Sequence, residues 1–378
     1  MDFRASEPLT YGLELELQIV DRATGRLTPG CVTLLDALAR QGPAGHYAQE
    51  ATLATIELNS SVQRDAAGMA AEMDSLVRRA REAARAHGFD LRGGGTHLAQ
   101  FWNERVMSST ARAQLLEQRF GFLPKRFSTY GMHVHVGMPD AESAIQVANL
   151  LQALSPLFIA LAAASPFLQL ADTGFASSRP LEPLVYPHGG PMPFLRNWQH
   201  LQEELEALYA TGVAFSLKDI YWDVRPKPEF GTVEVRVFDT PLSLGKALRL
   251  ASLTRNLAGL VLQGRLRLAQ PVAGSAQRVS RFMACRHGMD ARLYHPIQAT
   301  WLPAREWLAE LIDLLAQELP VPEDVDQIAD WRALLEEPEE HAQMRATWAA
   351  CGPQGPDPDA LQAALVRHSD AICERLLT

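Results

Sequence analysis

The sequence predicts an α+β fold, with a largely antiparallel sheet and helices packed on one side of it. Three observations support this. Several segments alternate apolar and polar residues with a period of two, as half-buried strands do. Helical periodicity occupies separate, longer runs. Strands and helices do not alternate in the βαβ manner, and neither G-x-G-x-x-G nor G-x-x-x-x-G-K-[ST] occurs.

The elements follow in order. In "YGLELELQIV" (Tyr11–Val20), Glu14, Glu16 and Gln18 share one face, and Leu13, Leu15, Leu17 and Ile19 share the other. "QEATLATIELNS" adds Glu50 and Glu57, the second flanked by Ile56 and Leu58. "AAGMAAEMDSLVRRAREAARAHG" reads as a helix ending near Gly88, a natural C-terminal cap. "RGGGTH" (Arg92–His97) lacks a phosphate-loop lysine and reads as a tight turn. "YGMHVHVGMP" sets His133 and His135 on one face with Gly131 and Gly137, opposite Met132, Val134 and Val136. Helices are expected at Ala141–Ala164, Trp198–Ala210, Leu242–Leu268, Arg305–Gln317 and Asp359–Leu377. "FGTVEVRVFD" repeats the strand design, with Thr232, Glu234 and Arg236 on one face and Val233, Val235 and Val237 on the other. Ser177–Pro193 and Arg225–Gly231 are rich in Pro and Gly and read as long functional loops. "CGPQGPDPD" near Cys351 reads as a separator of terminal helices.

Composition narrows the class. The 378 residues suffice for a large core, in one big domain or two ordinary ones, and the resemblance given below implies one catalytic unit spanning 1–378. With 35 Lys and Arg against 44 Asp and Glu, a net charge of −9 argues against a nucleic-acid partner. The start "MDFRASEPLT" has no apolar signal region. Four scattered cysteines without a CxxC fit a reduced, cytoplasmic compartment and argue against structural zinc. Ser143–Ala171 is uncharged and apolar, but Pro156 and Pro166 interrupt it, so a buried helix rather than a membrane span is expected.

The polar faces are not the Lys/Thr/Ser mixture of a solvated sheet. If the apolar faces pack under the same helices, Glu14, Glu16, Glu50, Glu57 and Glu234 crowd together. Carboxylates so close repel one another, which protonation or cations must relieve. Hard oxygen donors select Mg²⁺ or Mn²⁺, and an imidazole can complete the shell. An arginine beside such metals suits a phosphate. Together they point to phosphoryl transfer from a nucleotide, without naming the acceptor. Two other readings stay open. One is metal-assisted hydrolysis on the His-x-His strand, and the other is a non-catalytic nucleotide or metal sensor.

"GLELELQIVD", "GMHVHVG", "FASSRP", "GPMPF", "IYWDVRPKPEFGTVEVRVFDTPL" and "RFMACRHGMD" run in order along nearly the whole chain. With these the chain resembles the YbdK-type carboxylate–amine ligases, relatives of the glutamate–cysteine ligases. Many members have glutamate where this chain has Leu15, which by period should face the core. The resemblance implies a glutamine-synthetase-like fold whose curved antiparallel sheet binds Mg-ATP, with helices on its outer face. It implies Glu14, His133 and Glu234 around the metal nearest the transferred phosphate, with Glu16, Glu50 and Glu57 around the others. Arg236 would steady the γ-phosphate, His135 would contact the nucleotide or support a ligand, and Arg179 and Arg225 would meet substrate carboxylate or phosphate. The expected activity joins the γ-carboxylate of glutamate to an amine, perhaps that of cysteine, in a homodimer acting on small molecules.

Overall fold

A computed structural model describes residues 1–40, 45–126, 129–268, 270–352 and 357–378. Seven strands form the main sheet: β1 (Tyr11–Asp21), β2 (Tyr47–Gln49), β3 (Thr55–Asn59), β4 (Phe89–Arg92), β5 (Gly131–Gly137), β6 (Val224–Lys227) and β7 (Thr232–Asp239). Their order is β6-β7-β5-β1-β3-β2, with β4 on the far end of β1, and every pairing in this sheet is antiparallel.

The period of two decides which face is which. Leu13, Leu15 and Leu17 of β1, Met132, Val134 and Val136 of β5, and Val233 and Val235 of β7 are all buried in one apolar core. Leu15 pairs with Met132 on that face. Helices α2 (Ala66–Ala86), α5 (Ala141–Leu161) and α7 (Leu244–Leu262) contribute to the same core. The polar face carries the carboxylates and histidines.

Caps fix the helix starts. Asp65 accepts from the Gly68 amide at 2.7 Å, and Asp140 accepts from that of Ser143 at 2.8 Å, each satisfying a free first-turn donor. Trp198–Ala210 (α6) and Ala304–Gln317 (α9) lie where the periodicity put them, and the last long helix, Pro358–Cys373 (α12), ends in a 3₁₀ turn over Glu374–Leu377. The proposed separator near Cys351 falls partly on residues 353–356, outside the described residues.

Three expectations need correction. First, Pro156 does not interrupt α5; the helix passes through it to Leu161. Proline has no amide hydrogen to donate to Gln152, and Gln277 Nε2 instead donates to that carbonyl at 2.9 Å. Among the described residues α5 is the one helix long and apolar enough to cross a membrane, and 94% of its apolar window is buried inside the protein. Second, Arg225 is not in a loop. Val224–Lys227 is the edge strand β6, where Pro226 is tolerated because an edge needs no outward donor. Third, the alternation in β7 fails after Arg236. The register with β5 slips by one residue between Val235 and Phe238, so Phe238 rather than Val237 pairs with Met132.

Candidate active site

Cross-strand register gathers the polar residues. Glu14 lies opposite His133, His135 opposite Glu234, Glu16 opposite Glu57, and Arg225 opposite Glu234. Opposed residues share a face and lie within reach of one another. His133 Nδ1 sits 2.8 Å from Glu14 Oε2, and His135 Nε2 sits 3.1 Å from Glu14 Oε1. His135 Nδ1 is 3.0 Å from the Thr232 hydroxyl. Glu16 accepts from the Gly131 amide, and Glu57 accepts from Asn59 Nδ2 at 2.9 Å. Glu50 lies just beyond β2 and accepts from the Ala51 amide at 3.2 Å.

The carboxylates divide into two electrostatic groups. Burial would raise Glu14, but hydrogen bonds from His133 and His135 outweigh it and hold the carboxyl well below its usual range. Burial also opposes ionisation of Glu234, yet the charges of Arg225 and Arg236 hold it ionised. In the second group burial outweighs what the partners supply. Burial and the neighbouring charges of Glu50 and Glu14 push Glu57 up to about 9. Burial pushes Glu16 up to about 7 even though Arg179 opposes it. Glu50 is raised by burial and by Glu16. In all three, burial and mutual repulsion favour the protonated form. Burial and the nearby Arg236 push His133 down to about 4, so its ring is neutral.

Three sets of donor atoms could each hold one cation, their ligand atoms lying within 4.8 Å of one another. They are Glu14–Glu57–His133, Glu14–His135–Glu234 and Glu16–Glu50–Glu57. His133 Nε2 is buried with no hydrogen-bond partner among the described residues and lies 3.8 Å from Glu16 Oε1. A neutral imidazole with an unused ring nitrogen, set among carboxyl groups, suits a hard divalent cation.

The arginines differ from one another. Arg236 donates to Glu234 and lies 3.5 Å from His133 Nδ1. Arg225 is buried, with Nε 2.6 Å from Glu234 Oε2, while its Nη1 donates to the carbonyls of Leu217 and Ile220, each at 2.7 Å. Arg179 opens a 3₁₀ turn (Arg179–Val185) and reaches the carbonyls of Arg236 and Val237 at 3.3–3.4 Å. A Cβ at Gly131 would run into its guanidinium, so glycine is what lets Arg179 lie against the sheet.

Two cavities open on this face. One, of about 440 Å³, is lined by Glu14, Glu16, Glu50, Glu57, His133, Glu234 and the three arginines. The other, of about 490 Å³, is lined by Arg4, Gly12, Leu13, Val62, His135 and Thr232. They share Glu14 and Phe230. Every residue singled out from the sequence is thus brought to one surface, although His135 lines only the second cavity. Sequence reasoning missed Arg112, Tyr186, Lys218 and Tyr221, which also line the first. They come from a helix, from 3₁₀ turns and from a two-residue strand (Tyr221–Trp222), all too short or irregular for periodicity to mark a site-facing residue.

Known proteins resemble this chain along most of its length. The model of glutamate-cysteine ligase family 2 (GCS2) matches residues 10–348. A protein of Cupriavidus metallidurans named "Putative glutamate--cysteine ligase 2" is 36% identical over 332 residues, 88% of this chain and 89% of that protein. A protein of the same name from Dechloromonas aromatica is 37% identical over 89% of this chain and 86% of its own length. Among solved structures, the glutamate–cysteine ligase of Francisella tularensis in complex with AMP superposes with a TM-score of 0.68 at 12% identity, covering 99% of this chain and 90% of that one. A bifunctional glutathione synthetase from Pasteurella multocida gives 0.63 at 16% identity, over 97% of this chain and 53% of that longer one. The structural likeness establishes the fold. The family model and the sequence relatives, each spanning most of the chain, show that it belongs to glutamate–cysteine ligase family 2.

Proposed function

We propose that the protein is an ATP-dependent ligase that joins the γ-carboxylate of glutamate to an amino-acid amine, such as that of cysteine, through an acyl phosphate. The carrying observation is the convergence of two carboxylate clusters, with His133 and His135 beside them, on a cavity also lined by Arg179 and Arg236. A divalent cation, Mg²⁺ or Mn²⁺, would supply positive charge against the phosphate oxygens when bound. Glu14, His133 and Glu234 would hold the cation nearest the transferred phosphate, and Glu16, Glu50 and Glu57 the others.

The two cavities suit the two halves of the chemistry. The 490 Å³ cavity has Gly12, Leu13, Val62 and Phe230 in its walls, a floor on which a flat apolar ring system can lie, and His135 and Thr232 beside it. A nucleoside there would place its phosphates at Glu14, where the cavities meet. The 440 Å³ cavity, rich in cations, would then receive the carboxylate and the amine. The carboxylate oxygen bonds to the γ-phosphorus as the bond to the β–γ bridging oxygen breaks, releasing ADP. The amine nitrogen then bonds to the acyl carbon as the carbon–oxygen bond to phosphate breaks. Arg236, already on this face, would meet charge developing on the phosphoryl oxygens.

ADP release tests the reading. It should require both an added carboxylate and an added amine. ADP formed from ATP and metal alone, or none from any amino-acid pair, would overturn it. The same reading carries a cytoplasmic location, a homodimer and one catalytic unit spanning the chain. Sedimentation of the purified protein tests the dimer.

A further inference from the structure

Six lysine and arginine side chains line the 440 Å³ cavity. Five are already engaged. Arg225 and Arg236 hold Glu234, Lys227 holds Glu229 at 2.9 Å, Arg112 holds Asp219 at 3.0 Å, and Arg179 lies on backbone carbonyls. The sixth, Lys218, has no hydrogen-bond or ion-pair partner for its ammonium among the described residues.

Its backbone, in contrast, is tightly held. Lys218 is the middle residue of a 3₁₀ turn, Leu217–Asp219. Asp219 accepts from the Phe215 and Ser216 amides at 2.9 and 3.1 Å. Arg112 donates to the Lys218 carbonyl at 2.8 Å as well as pairing with Asp219. The carbonyls of Leu217 and Ile220, on either side, both accept from Arg225 Nη1. Arg225 in turn grips Glu234, so a continuous chain of charged contacts ties this turn to the carboxylates of the sheet. Lys218 is exposed, so its side chain keeps its own rotamer freedom, but its backbone is already fixed and an arriving anion has only the side chain to order.

We infer that Lys218 receives the α-carboxylate of an amino-acid substrate, which makes it a specificity residue favouring α-amino acids over simple acids and amines. This rests on the ligase reading above. The nucleotide tail is the other anion at hand, but Lys218 does not line the second cavity, and the phosphates enter where the two meet, at Glu14. In glutamate the α-carboxylate lies several bonds from the reacting γ-carboxylate, as a contact outside the metal cluster requires.

The test uses Lys218→Met, which keeps the stem and removes the charge, and Lys218→Arg, which restores it. ADP release is measured with glutamate and cysteine, and again with each replaced in turn by its α-amide. For one of the two amino acids, Lys218→Met should raise KM on the order of ten- to a hundredfold, the usual range for a charge-assisted hydrogen bond. The value of kcat and the KM for ATP should stay near wild type, and Lys218→Arg should recover most of the loss. With the corresponding α-amide, wild type and Lys218→Met should be equally poor. Unchanged KM for both amino acids, or a rise confined to ATP, would overturn the assignment while leaving the ligase reading intact. If the wild type turns over no amino-acid pair, the ligase reading itself fails. Calorimetric titration of glutamate and of cysteine into wild type and Lys218→Met then decides the docking role, and equal affinities would overturn it.

Discussion

Arg225 and Glu234 face each other across β6 and β7, Nε to Oε2 at 2.6 Å, and both are buried. Removing one partner of a buried pair strands the other's charge and typically costs about 3–5 kcal/mol. Arg225→Met should therefore lower unfolding stability by that order, read by urea denaturation. It should also loosen the Leu217–Asp219 turn, whose flanking carbonyls lose their donor. A variant as stable as wild type would show that Arg236 alone satisfies Glu234.

His133→Ala should abolish ATP turnover while the fold survives, since the ring's removal leaves the apolar face of β5 intact. The expected loss is on the order of 10² to 10³ in kcat or more. Circular dichroism on the same preparation checks the fold, and near-normal turnover would remove His133 from the cation's shell.

Arg236→Lys keeps the charge but loses the planar fork that grips two oxygens. We expect kcat to fall far more than nucleotide affinity, because the contact strengthens as charge develops on the transferring group. A large drop in Tm with intact kcat would instead mark Arg236 as a structural partner of Glu234.

Metal and pH should act together on stability. Glu57 and Glu16, pushed up to about 9 and about 7, keep protons that the unfolded chain gives up near pH 4.5. The native state then binds more protons than the unfolded one, so stability falls as pH rises from about 4.5 towards 9. Mg²⁺ takes the place of those protons and should flatten the fall. Tm measured from pH 5 to 9 should drop more steeply in chelator than in Mg²⁺. Parallel curves would count against a cation in the Glu16–Glu50–Glu57 set.

A separate acid limb comes from His368. Burial and the charge of Arg92 push it down to about 3, against about 6.5 when exposed. Here the unfolded chain binds the extra proton, so stability is lost as pH falls below about 6.5. The ring packs edge-on against Trp348 and Phe167. His368→Phe should reduce the loss of Tm between pH 7 and pH 4, and an unchanged slope would place the acid sensitivity elsewhere.

Much of the site was legible because a strand shows its faces directly in its sequence. Glu14, Glu16, His133 and Glu234 follow from a period of two, and antiparallel register then sets them side by side. Glu50 lies outside a strand and could be found only by its company with Glu57. Arg225 was misplaced because "RPKP" has the composition of a loop, and only an edge strand admits such a proline. The slip in β7 leaves no mark in "VEVRVFD", where apolar residues on both sides of the bulge look alike. Helices at Cys31–Arg40, Ala111–Phe120 and Gly274–His287 went unread, the last two with few buried residues to set a period. Lys218 was invisible, since its importance lies in contacts its neighbours make across the chain.

The apolar helix α5 also bears on how the protein is made. It emerges from the ribosome before α7, α8 (Gly274–His287) and β7, three of the elements it packs against. At ordinary rates of synthesis, the interval between Leu161 and His287 lasts on the order of ten seconds. Until those elements appear, a stretch able to pass for a membrane segment lacks much of its native cover. Nascent chains arrested near residue 200 should therefore expose α5 to protease or to a chaperone, and chains released at full length should protect it. Protection already present at residue 200 would mean that the early strands shield the helix on their own.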